Sequence, residues 1–196
     1  MENNIYEESG IPRRKALGRG LEELFNNEVL DYSAVEKKIV NETPKEEIVN
    51  IKLDEIKEYF NYIIIDCPPS LGILTTNALM ASDSVIIPVQ CEFFALEGIT
   101  QLLRTIMLAQ KSLNPTLDIE GVLLTMYDAR TNLGLEVVED IRKFFKEKVY
   151  NTIIPRLVRL TEAPSHGEPI IVYDPKSRGS EAYLNLAKEV IERNGK

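Results

Sequence analysis

The 196-residue chain is poor in the side chains that most often carry chemistry. A single histidine, His166, excludes a histidine dyad or a multi-histidine metal site. Neither Ser70 nor Ser165 stands in the acid–histidine order of a hydrolase triad. The two cysteines, Cys67 and Cys91, form no metal-binding pattern; they read as reduced thiols in a cytoplasm, each placed after an apolar run and expected to pack. No apolar run approaches the roughly 20 residues of a membrane span. The acidic N-terminus, with Gly10 and Pro12 as early breakers, does not read as a signal peptide. A net charge of -8 excludes a wholesale nucleic-acid coat and leaves room for a small basic patch. Nowhere does a glycine-rich loop end in Gly-Lys-Ser or Gly-Lys-Thr. Such a loop gives backbone donors and a lysine to nucleotide phosphates, and a hydroxyl to magnesium.

What is present suits a globular protein: 44% hydrophobic and 28% charged residues, enough for one domain and an appendage. Residues 1–58 differ in texture from the rest. Arg13, Arg14, Lys15 and Arg19 make a basic cluster, followed by Leu17, Leu21, Leu24 and Phe25 at helical spacing. This stretch reads either as a docking peptide or as a helix packed on its own domain. Residues 32–45 read as a polar linker. In 48–54, Val49, Ile51 and Leu53 alternate with polar residues, the pattern of a half-exposed strand.

From residue 59 strands and helices alternate. Tyr62, Ile63, Ile64 and Ile65 form an apolar, β-branched run that predicts a parallel strand buried on both faces. Asp66 follows at its end, where ligands of open α/β sheets bind. Two readings fit it: a carboxylate for hydrated magnesium or a water beside a phosphate, or a cap of the next helix. A helix is predicted over 71–81 with Ser70 as N-cap, and a strand over 84–89. A longer helix over 95–112 follows, lined by Leu96, Ile99, Leu102, Leu103 and Ile106 and broken at Asn114-Pro115. Then come a strand over 119–126, an amphipathic helix over 133–145, and a strand over 150–154. Residues 157–174 are predicted irregular, and 177–193 form the last helix. This alternation implies βαβ crossovers and a parallel sheet.

Two resemblances stand on quoted residues. Lys-Ala-Leu-Gly-Arg-Gly-Leu-Glu-Glu-Leu-Phe at 15–25 and Glu-Glu-Ile-Val-Asn-Ile-Lys-Leu-Asp-Glu-Ile at 46–56 resemble the start of ParB, the centromere-binding partition protein. The second region is carried by 62–72, Val-Gln-Cys-Glu-Phe-Phe-Ala-Leu-Glu-Gly at 89–98, and Leu-Leu-Thr-Met-Tyr-Asp-Ala-Arg-Thr-Asn-Leu at 123–133. Ile-Pro-Arg-Leu-Val-Arg-Leu-Thr-Glu-Ala-Pro-Ser-His-Gly at 154–167 and Tyr-Asp-Pro-Lys-Ser-Arg-Gly at 173–179 complete it. It resembles the C-terminal part of ParA, the deviant Walker partition ATPase.

The resemblances imply a ParB-like arm over 1–58, mostly flexible, and a truncated ParA-like domain over 59–196. The implied fold class is α/β, a partial P-loop NTPase-like parallel sheet with flanking helices and without the Walker A strand-loop-helix. They imply that Asp66 is the switch carboxylate, holding magnesium indirectly and only with nucleotide, and that Thr125, Met126 and Pro155 border the adenine of ATP. Arg130 and Arg159 are implied as non-specific DNA contacts, against the alternative of ion pairs to Glu136 or Glu162. Leu17, Arg19, Leu21 and Phe25 are implied to engage intact ParA or a second copy. Without the phosphate loop the chain is expected not to hydrolyse ATP alone. Two functions follow: a hydrolysis-deficient partition protein, or a non-enzymatic module that binds ParA and DNA, with no membrane involved.

Overall fold

The computed structural model describes residues 53–68 and 72–195. The docking peptide, the linker and nearly all of the 48–54 strand lie outside them. The elements are α1 (Asp54–Lys57), α2 (Ile73–Ala81), β1 (Ser84–Gln90), α3 (Ala95–Ser112), β2 (Asp118–Thr125) and α4 (Asn132–Phe145). A 3-10 turn (Lys146–Lys148), α5 (Val158–Ser165), α6 (Ile170–Tyr173) and α7 (Arg178–Arg193) follow.

β1 and β2 pair in parallel, from Ser84↔Asp118 to Gln90↔Thr125, with one irregularity between Val85 and Ile86. The α3 crossover between them makes a βαβ unit. On the far side of β2 the chain bridges Val122 to Val149 and Tyr127 to Pro155, also in parallel. β2 is therefore central, and its side chains alternate between two clusters. Val122 and Leu124 face Ile87, Val89, Leu103, Ile106, Val137 and Ile141, the layer built by β1, α3 and α4. Leu123 faces the opposite way, with Tyr150 and Ile154 against Leu160, Ala182, Leu186 and Val190. The predicted stripe of α3 is the buried one: Leu96, Ile99, Leu103 and Ile106 are in the core and Leu102 packs against it. Cys91 lies in that core, where burial pushes its thiol up to about 11. It stays protonated and packs as a small apolar side chain.

Four sequence expectations require correction. Residues 62–65 form no strand, and Ile64 is 91% exposed; a β-branched run becomes a strand only beside a partner ladder, and no described residue supplies one. Cys67 is exposed rather than packed. Residues 150–154 form no strand: the segment meets β2 through the Val122–Val149 bridge and the Tyr150 and Ile154 N–H groups, which donate to the Val122 and Leu124 carbonyls. The stretch 157–174 is not irregular: α5 and α6 occupy it, with Pro164 inside the last turn of α5. That proline removes one helical N–H donor, and α5 ends at Ser165, the next residue.

Helix ends follow side-chain chemistry. Thr131 accepts from the Gly134 N–H and starts α4; Ser177 accepts from the Ser180 N–H and starts α7. α2 starts at Gly72 with no side-chain cap, so Asp66 does not cap it. Its far end is closed by Asn114, whose amide donates to the Leu79, Met80 and Ser82 carbonyls at 3.0, 3.3 and 2.8 Å. Asn114 is thus a C-terminal cap supplied across the fold as well as the breaker of α3.

Candidate functional site

The carboxyl end of the sheet gathers three of the predicted residues, Thr125, Met126 and Pro155. The Thr125 hydroxyl donates to the Val89 carbonyl at 3.2 Å, and the Cys91 N–H donates to the Thr125 carbonyl at 3.0 Å. Both bonds tie β2 to β1 at its last residue. Met126 then turns with φ +51° and is 44% exposed, a left-handed conformation that an unbranched side chain tolerates only at a cost. The turn lets Tyr127 rejoin the ladder: its N–H donates to Ile154, and its carbonyl accepts from the Arg156 N–H at 2.9 Å. Thr125, Met126 and Pro155 are thereby brought to one edge, Pro155 bridged to the neighbour of Met126.

Beside them a cavity of about 580 Å³ is lined by Tyr127, Thr152, Pro155, Arg178, Glu181 and Asn185. Its charged walls are one arginine and one glutamate, which cancel. Of the three predicted adenine neighbours only Pro155 lines this cavity; Thr125 and Met126 do not. Asp66 adds nothing to that balance: its carboxylate is exposed and has no partner among the described residues. Its neighbour Pro68 has no N–H to offer a phosphate.

The two predicted DNA contacts are brought to the surface but not together, and each holds a carboxylate. Arg130 forks onto Asp128 through Nε at 2.9 Å and Nη2 at 2.7 Å, with its side chain 86% exposed. Those bonds, with the Arg130 backbone N–H, hold the Asp128 carboxyl well below the usual range. Arg159 pairs with Glu162 at 3.3 Å and with Asp174 at 3.7 Å, and its guanidinium lies 5.8 Å from the Tyr173 ring centre. The Glu162 pairing is one of the alternatives the sequence left open. The ring of His166 stacks on the other partner, Tyr173, at 5.0 Å. Leu17, Arg19, Leu21 and Phe25 lie outside the described residues.

One contact at this edge was not legible in the sequence. Arg156 donates to the Glu92 carboxylate, joining the end of β1 to the segment beyond β2. Both residues sit in quoted stretches, but 64 positions apart, and no local pattern signals their pairing.

No helix is long and apolar enough to cross a membrane among the described residues. Residues 24–119 match a family described as an AAA domain, a match that crosses residue 58. The chain is 61% identical over 161 residues to the sporulation initiation inhibitor protein Soj of Bacillus subtilis, covering 82% of this chain and 64% of the relative. It is 51% identical over 164 residues to the chromosome partitioning protein ParA of Myxococcus xanthus, covering 84% of this chain and 58% of that protein. The chain thus spans less than two thirds of the length of these curated relatives. Among solved structures, cobyrinic acid a,c-diamide synthase from Mycobacterium smegmatis superposes with a TM-score of 0.59 at 35% identity, over 80% of this chain and 57% of the synthase. A form of that synthase with bound ADP and magnesium gives 0.52 at 38%, over 65% and 52%. By sequence, the chain is a homologue of the ParA/Soj chromosome-partitioning proteins.

Proposed function

We propose that this chain works in chromosome or plasmid segregation as a ParA/Soj-type partition protein that does not hydrolyse ATP by itself. The observation that carries the reading is the split character of its nucleotide edge. Thr125, Met126 and Pro155 meet at the carboxyl end of the sheet beside a neutral cavity, while Asp66 is exposed and no glycine-rich Gly-Lys-Ser/Thr loop occurs in the sequence. The synthase form with ADP and magnesium supports a nucleotide at that edge, with Asp66 reaching magnesium only through it. Arg130 and Arg159 would exchange their carboxylate partners for DNA phosphates, a sequence-independent contact. Leu17, Arg19, Leu21 and Phe25 would engage intact ParA or a second copy, in the cytoplasm and on the nucleoid.

The missing phosphate loop favours a second reading from another class, a non-enzymatic module that binds ParA and DNA without nucleotide. Calorimetric titration of the full chain with Mg-ATP separates the two: heat of binding without turnover supports the first, and no binding supports the second. Steady-state phosphate release that Asp66→Ala abolishes would overturn both.

A further inference from the structure

A second cavity, of about 570 Å³, opens between the end of α4, the 3-10 turn, the Val149–Asn151 segment and the end of α7, and it shares Asn151 with the first. Lys148 of that turn pairs with Asp118, the first residue of β2. The 3-10 turn side of the cavity therefore lies toward the end of β2 opposite Thr125.

Its walls carry Arg142, Lys143, Lys146 and Arg193 against a single carboxylate, Glu147. With Arg193 neutralised by Glu189, that leaves a surplus of two positive charges in a chain whose net charge is -8. Arg193 is fixed: it donates to the Val149 carbonyl at 2.8 Å, pairs with Glu189 and lies 4.2 Å from the centre of the Tyr150 ring. Arg142, Lys143 and Lys146 are exposed, and among the described residues none has an ion-pair or side-chain hydrogen-bond partner. By contrast Arg130, Lys148, Arg156 and Arg159 each hold a carboxylate.

Cations in a last helical turn complement the helix dipole, which accounts for Arg142 and Lys143 alone. It does not account for Lys146, which lies past the helix end with φ 49° and ψ -121°. That is a backbone conformation glycine adopts freely and an L-residue resists. A lysine held there keeps a charge over the cavity at the expense of local strain, and α7 adds a fourth cation from a distant part of the chain. Three cations of residues 142–146 without carboxylate partners, backed by the fixed Arg193 of α7, line one opening and can meet an anion.

We propose that this cavity binds phosphate groups through Lys143, Lys146 and Arg142, with Arg193 as its rigid floor. The phosphate comes either from DNA backbone or from a small phosphorylated ligand. Arg142, Lys143, Lys146 and Arg193 do not line the first cavity, and the test is kept independent of the partition reading by working in an Arg130→Ala/Arg159→Ala background as well as in the natural chain.

The discriminating variant is Lys146→Gly with Lys143→Gln. Lys146→Gly relieves the backbone strain, so the fold should be retained and the melting temperature unchanged or raised. Inorganic pyrophosphate is titrated calorimetrically, and a short mixed-sequence duplex by fluorescence anisotropy across a salt series. If the source is a small ligand, pyrophosphate binds the natural chain and the double variant loses at least tenfold in affinity. If the source is DNA, duplex affinity falls and the log–log salt slope drops by about 2, one unit for each lost phosphate contact. Unchanged affinity for both probes in a folded variant overturns the proposal.

Discussion

At the level of single residues, the β2 core turns on one missing side chain. A Cβ on Gly121 would lie 2.6 Å from Tyr150 Cε2 and 2.9 Å from the Lys148 carbonyl, closer than real carbon contacts permit. Tyr150 is fully buried and sits under the Arg193 guanidinium, so its ring cannot swing away. Gly121→Ala should therefore destabilise the fold by about 1–3 kcal/mol, the usual cost of overpacking a filled core, read as a lowered urea midpoint with an unchanged slope. A second device lies beside it. The Glu189 carboxylate accepts from the Asn151 N–H at 2.7 Å and the Thr152 N–H at 2.9 Å, closing backbone donors of a segment that no further strand covers. Desolvation pushes its pKa up, but the two backbone donors, Thr152 and Arg193 outweigh it and the net shift is downward. A carboxyl lowered by folding stabilises above its unfolded pKa, and that stability is lost as pH falls through the folded value. Acid unfolding curves should thus show a loss beginning below pH about 4.3 that Glu189→Gln removes.

At the level of elements, α2 depends on a cap it does not encode. Its last turn leaves carbonyls unpaired, and Asn114, from the loop after α3, satisfies three of them. Asn114→Ala should cost about 1–3 kcal/mol, because those partly buried acceptors lose their donor, and amide exchange across residues 79–82 should accelerate more than in α7. The same residue shows where sequence reading works and where it stops. Asn114-Pro115 was legible as a break because proline fixes the local backbone; the partners of Asn114 lie more than thirty positions away, and no period reveals them. The stripe of α3 and the cap of α7 at Ser177 were legible because their causes are local. The run at 62–65 misled because periodicity reports what a segment can do beside a partner, not whether the partner exists. Likewise Thr125, Met126 and Pro155 came forward through quoted stretches, whereas Glu92–Arg156 and the basic cavity arise only when distant elements meet.

At the level of the whole molecule, one side is closed and the other is open. α7 covers the far side of β2 through Leu186 and Val190, and Glu189 with Arg193 seals the segment beyond it. Around α1, α2 and β1, by contrast, Tyr59, Phe60, Ile64 and Leu74 are 77%, 61%, 91% and 63% exposed, and Ile86 on β1 is 40% exposed. β1 pairs with β2 and with no other strand among the described residues. Pro88 blunts that edge by removing one donor, but a proline does nothing for exposed isoleucine. Monomers rarely leave this much apolar surface uncovered, and an unpaired strand beside it is a template for another chain. The expected outcome is concentration-dependent self-association of the 196-residue chain, read by sedimentation velocity as a shift in mean mass across the micromolar range. Ile64→Lys with Ile86→Lys should suppress it while leaving the melting transition in place, since neither side chain belongs to the buried core. If the double variant associates as strongly as the natural chain, the open side is not the contact. A natural chain that stays monomeric across the range would mean that this apolar surface is already covered.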